Sequence, residues 1–113
     1  MNTHAQVAII TDASTNESVR IDFLHMKKAS MILRALNHKL RQQVIKLLDE
    51  HQKMTVTEIY VKLRLEQSVA SQHLAILRRA GIVGTRREGK FIFYSINYGR
   101  VKEISHFVEE FLK

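Results

Sequence analysis

The chain has 113 residues, 45% of them hydrophobic and 26% charged, with a net charge of +7. That length supports one modest core and not two, and the composition is that of a soluble globular domain. The lack of cysteine excludes disulfides, thiolate metal sites and thiol switches, while the positive charge favours a polyanionic partner.

No apolar run reaches membrane-spanning length, and no basic segment leads into an apolar stretch of the secretory kind. The expected compartment is therefore the cytoplasm, with no membrane partner. Val7 to Ile10 are compatible with a short strand, but Thr11 to Ser18 is polar and turn-like. Residues 1–20 are expected to be a flexible arm, ordered only where a partner covers it, ahead of a domain over 21–113. Proline is absent, so helix breaks must come from Gly, Asn and Ser.

A first helix is predicted from about Ile21 to Leu36, with Leu24, Met31, Ile32, Ala35 and Leu36 on its apolar side. Asn37 is placed to cap a second helix, His38 to about Glu50, in which Leu40, Val44, Leu47 and Leu48 recur at helical spacing. Thr55 and Glu58 form a capping-box pattern for a third helix starting near Val56, which carries Ile59 and Leu63 inward. Leu65 and Glu66 make the turn to a fourth helix, Gln67 to Ala80, and Gly81 stands where a left-handed residue ends it. Ile82 to Arg87 and Lys90 to Ile96 read as strands joined by a Glu88-Gly89 turn. Asn97 can cap a last helix with a stripe of Val101, Ile104, Val108 and Phe111. The fold class is α+β, mostly helical: a winged helix-turn-helix of about five helices and one two-stranded hairpin.

Projected at about 100° per residue, the fourth helix puts Ser68, Ser71, Gln72, Ala75 and Arg79 on one side. Val69, His73, Ile76, Leu77 and Ala80 fall on the other. Ser and Gln can bond base edges and the Ala75 methyl can touch thymine; Gln67 and Arg78 flank that face, within reach of phosphates. An ordinary solvated helix face would carry Lys and Glu, whereas no acid follows Glu66 in this helix. His73 projects towards the apolar side and reads as a packed or capping residue. Arg86, Arg87 and Lys90 surround the hairpin turn, where they can meet backbone or minor groove. The aromatics Phe91, Phe93 and Tyr94 are assigned to packing. Arg41 is a candidate phosphate anchor, with a plain surface arginine as the competing reading.

From about Ala35 to Ile96 the chain resembles the ArsR/SmtB family of winged-helix regulators. ALNHKLRQQVIKLL is similar to that family's second-helix segment, and LEQSVASQHLAILRRAGIVGTRREGKFIFYSI to its recognition helix and wing. The resemblance implies a homodimer that binds palindromic double-stranded operator DNA and represses, usually until an inducer lowers DNA affinity. His38-Lys39 stands where the family commonly has Asp-Pro, and MTVTEIY fills the place of a Cys-x-Cys metal box. His106 and Glu109 give one half of another family metal pattern, but Phe93 and Ser95 occupy the positions of its partners. Two ligands do not make a site without a dimer partner or His25, so no metal or other cofactor is expected, and the sequence names no inducer.

Dimerisation is expected through Leu24, Val101, Ile104, Phe107, Val108, Phe111 and Leu112, which give the first and last helices more apolar surface than a small monomer covers. The competing function is a winged-helix module that binds protein. An enzyme is not expected: Asp22, Asp49, Glu50 and Glu58 are scattered along the chain and form no catalytic constellation.

Overall fold

The computed structural model describes residues 6–113. Strands β1 (Val7–Asp12) and β2 (Glu17–Asp22) pair antiparallel, with Val7 opposite Asp22 and Asp12 opposite Glu17. Helix α1 (Phe23–Leu36) follows without a linker. The chain divides inside α1 into two compact units, one up to Ile32 and one over Leu33–Lys113.

The strand expected at Val7 to Ile10 is present but extends to Asp12 and pairs with β2, so Thr11 to Ser18 is not turn throughout; the first five residues of the expected arm lie outside the described residues. The turn of this hairpin is built locally: the Asp12 carboxylate accepts from the Ser14 amide and hydroxyl, and Asn16 takes a positive φ of 63°. Thr11 and Ser18 share a hydroxyl hydrogen bond across the strands, so Thr11, Asp12, Glu17 and Ser18 belong to the ladder and not to the turn. Ile21 and Asp22 close that ladder, which is why α1 starts at Phe23. Asp22 then accepts from the amides of Leu24 and His25, two orphan donors of the new helix.

The second unit holds the core. Helices α2 (Lys39–His51), α3 (Val56–Leu63) and α4 (Gln67–Arg79) precede strands β3 (Val83–Glu88) and β4 (Phe91–Ile96), and α5 (Tyr98–Phe111) ends the chain. Val44, Leu48, Ile59, Leu74, Leu77 and Ile82 are fully buried, one or two from each of α2, α3 and α4 and one from the approach to β3. Each such side chain stabilises the fold by about 1.5–3 kcal/mol relative to an exposed one. Leu63, expected to point inward, is only half-buried.

The caps fall where local chemistry puts them. Thr55 accepts from the Glu58 amide while Glu58 accepts from the Thr55 amide, completing the capping box and holding the Glu58 carboxyl below its ordinary value. Asn97 caps α5 by accepting from the Arg100 amide, and Gly81 ends α4 with φ 76°. At α2 the cap is His38 and not Asn37: its Nδ1 accepts from the Leu40 amide. The hairpin loop is Gly89-Lys90, since Glu88 still pairs with Phe91; the turn therefore sits one residue later than the sequence suggests. A backbone bridge that no sequence pattern marks joins Met54 and Tyr94, which donate to each other's carbonyls at 3.0 and 2.7 Å. It pins the segment before α3 to the wing.

Candidate nucleic-acid interface

Helix α4 is held by its inner face. Ala70, Leu74 and Leu77 are buried against neighbouring elements, and α4 packs on α2, α3 and β3. That packing leaves Gln67, Ser68, Ser71, Gln72, Ala75, Arg78 and Arg79 all exposed, while Val69, His73 and Ile76 are half-buried. The small Ser and Ala side chains on the outer face let another molecule come close to the helix backbone. No acid lies in the first turn, and both arginines lie in the last.

The wing register separates its cations. Residues directly opposite share a face of the sheet, so Val83/Ile96, Thr85/Tyr94 and Arg87/Ile92 lie on one side, and Gly84/Ser95, Arg86/Phe93 and Glu88/Phe91 on the other. Arg87 is thus on the Tyr94 side and Arg86 on the Phe93 side. Lys53, just before α3, donates to Glu88 at 2.7 Å and stands 4.7 Å from the Phe93 ring centre. This neutralises the acid that ends β3. Among the described residues Arg78, Arg79, Arg86, Arg87 and Lys90 form no ion pair, which leaves five cations open to a polyanion. The aromatics only partly pack: Phe91 and Phe93 meet at 6.2 Å, but Phe91 and Ile92 are half exposed, lining a concavity with Thr55 to Glu58 at the start of α3.

Tyr94, which the sequence assigns to packing alone, lines a concavity of about 410 Å³ together with Ser71, Ala75, Arg78 and Arg79. The signal for this placement is the strand register, which sets Tyr94 on the same face as the buried Val83 and Ile96.

Arg41 is neither an exposed phosphate anchor nor a plain surface arginine. It is 7% exposed, and its Nε donates to the Ala35 carbonyl at 2.7 Å and its Nη2 to the Arg34 carbonyl at 3.1 Å. Gln42 donates to the Leu36 carbonyl in the same way. These are among the last carbonyls of α1, beyond the reach of its regular i+4 amides; the Arg34 carbonyl also accepts from the Asn37 amide at 3.1 Å, and a cation is favoured at that end. The Arg41 Nη1 also meets the His73 Nδ1 at 3.3 Å, and the His73 ring stands 4.8 Å from that of His38. Arginine can only donate, so the His73 Nδ1 accepts and its ring is neutral. Burial, then the nearby His38 and Arg41, hold His73 below its ordinary pKa. His73 is accordingly a packed residue that ties α4 to α2.

Helix α5 has no buried residue. Val101, Ile104 and Val108 are half-buried, whereas Phe107, Phe111 and Leu112 are 53%, 75% and 74% exposed. Leu24 of α1 is exposed in the other unit. His106 and Glu109 are both exposed, and among the described residues no group of three or more His, Asp or Glu side chains is placed to hold a metal.

Residues 38–85 match the family described as bacterial regulatory protein, arsR family. The chain is 43% identical over 84 residues to an HTH-type transcriptional regulator of Methanocaldococcus jannaschii, spanning 74% of this chain and 94% of that one. It is 40% identical over 75 residues to the transcriptional activator HlyU of Vibrio cholerae, spanning 66% of this chain and 68% of that one. The crystal structure of the transcriptional repressor PagR of Bacillus anthracis is similar with a TM-score of 0.62 and 30% identity, over 77% of this chain and 99% of PagR. The helix-turn-helix, the basic wing and these likenesses together place the chain in the ArsR family of winged helix-turn-helix, DNA-binding transcriptional regulators.

Proposed function

We propose that the protein is a cytoplasmic repressor that binds a palindromic operator as a homodimer. The observation that carries the DNA reading is the outer face of α4, where Ser71, Gln72 and Ala75 are exposed between the flanking Gln67, Ser68, Arg78 and Arg79. Ser71, Gln72 and Ala75 read base edges in the major groove, and the flanking residues fix the helix on the backbone. Arg86, Arg87 and Lys90 of the wing add backbone contacts. Arg41 takes no part in DNA contact.

The dimer is supported by the uncovered α5. Phe107 and Phe111 stack with ring centres 5.8 Å apart, and an exposed aromatic pair beside Leu112 is the kind of patch that marks an interface. A second copy related by a two-fold covers it, with Val101, Ile104 and Val108 below; Leu24 is a further dimer contact in its own unit. Such a dimer sets two recognition helices about one DNA turn, roughly 34–36 Å, apart. Repression follows PagR; HlyU is an activator, so the sign is read by a reporter assay.

The test is DNA selection with purified protein, followed by binding of the selected duplex and a random duplex. Ser71→Ala and Gln72→Ala should each reduce the preference for the selected site by about 1–3 kcal/mol. Wild-type specificity in both variants would refute the face assignment. Binding that does not weaken with salt would refute the DNA reading itself and favour a protein partner.

A further inference from the structure

We infer that Tyr94 is a DNA-backbone contact, its phenol donating to a phosphate seated between α4 and the wing. This rests on the proposed DNA-binding role of α4. Three observations carry it. Tyr94 lines the concavity formed with Ser71, Ala75, Arg78 and Arg79, on the face of the helix left open by core packing. It shares its side of the wing with Thr85 and Arg87, so the face that meets Arg78 and Arg79 also carries an arginine of the wing tip. Its backbone is fixed through the Met54 bridge, while its hydroxyl has no hydrogen-bond partner among the described residues.

The chemistry suits a phosphate. A phenol is both donor and acceptor, and a hydrogen bond to an anionic oxygen is stronger than one between neutral groups. A half-buried ring held by a two-residue backbone bridge loses little freedom on binding. Arg78 and Arg79 beside it supply the charge that draws a phosphate in, and Tyr94 supplies a directed bond that fixes where it stops. Tyrosine carries no charge, so the contact displaces no condensed counterion; the arginines do. The two kinds of contact therefore leave different marks in a salt titration.

The experiment compares wild type, Tyr94→Phe, Arg79→Ala and Ser71→Ala on a random-sequence duplex of about 30 base pairs, roughly three helical turns, and on the selected duplex. Tyr94→Phe is expected to weaken binding on both duplexes by about tenfold for each protomer in contact, roughly a hundredfold for a dimer that loses both bonds. Its melting temperature and its log–log salt slope should match the wild type, whereas Arg79→Ala should flatten the slope by about 0.9 for each phosphate it no longer neutralises. Unchanged affinity in Tyr94→Phe, with Ser71→Ala and Arg79→Ala still impaired, overturns this inference and leaves the proposed function standing. Weaker binding with a flattened slope also overturns it, because Tyr94 would then act by placing Arg87. Failure of the wild type to bind either duplex overturns the proposed function and this phosphate site with it.

Discussion

Arg41→Ala separates a structural arginine from a DNA anchor. The guanidinium makes two charged hydrogen bonds to the carbonyls of Arg34 and Ala35, at 3.1 and 2.7 Å, with 7% of the residue exposed. Bonds from a charged donor contribute about 1.5–3 kcal/mol each. Water can reach the end of α1 once the side chain is gone, so the lower figure applies, and two bonds give about 3 kcal/mol of destabilisation. A domain of this size has roughly 5–15 kcal/mol in all, so the variant stays folded and measurable. In urea the midpoint should fall by about 1.5 M for a slope near 2 kcal/mol/M. The melting temperature should fall by more than about 10 °C. Arg41→Lys keeps the charge but not the fork and should recover less than half of the deficit. The salt slope for DNA binding, measured where the variant is folded, should not change. A melting temperature within about 2 °C of wild type, together with a slope flattened by about 0.9 for each protomer, would instead make Arg41 a phosphate ligand.

The same cluster predicts an acid limit. His73 is held neutral with its pKa depressed below the ordinary 6.5, against the charged Arg41 and near the His38 ring. A depressed folded pKa means stability is fully present above about 6.5 and is lost as pH falls through the folded value. His73→Gln should remove part of that decline in pH-dependent melting, and an identical pH profile would contradict it. In the wing, both Arg86→Ala and Arg87→Ala should flatten the salt slope, Arg87→Ala more strongly because Arg87 lies on the Tyr94 side; salt titrations showing equal slopes would remove the preference for that side, and an unchanged slope in both would take the wing off the DNA. Phe107→Glu with Phe111→Glu should yield a monomer by sedimentation and weaken operator binding, since two charges replace stacked rings on α5. A dimer that survives both changes would move the interface off α5.

Much of the DNA-binding half was legible in the residues themselves. Thr55 and Glu58, Asn97 and Gly81 act within three or four positions of where they stand, and such bonds are written into spacing. The division of α4 into an open face with Ser71 and Gln72 and an inner face with His73 and Leu77 follows from helical period alone. The N-terminal hairpin is also local but weakly signalled: its strands are mostly exposed and lack a buried alternating face, so beyond the apolar run Val7 to Ile10 only the Asp12–Asn16 turn chemistry marks it. What the tertiary structure alone decided are the pairings across distance. Arg41 meets His73 from 32 positions away, and Met54 bridges Tyr94 to bring it beside Ser71 and Arg79. An arginine on a helix has the same local signal whether it faces solvent or a neighbouring helix's last carbonyls; only the arrangement of the helices determines which partner the charge finds.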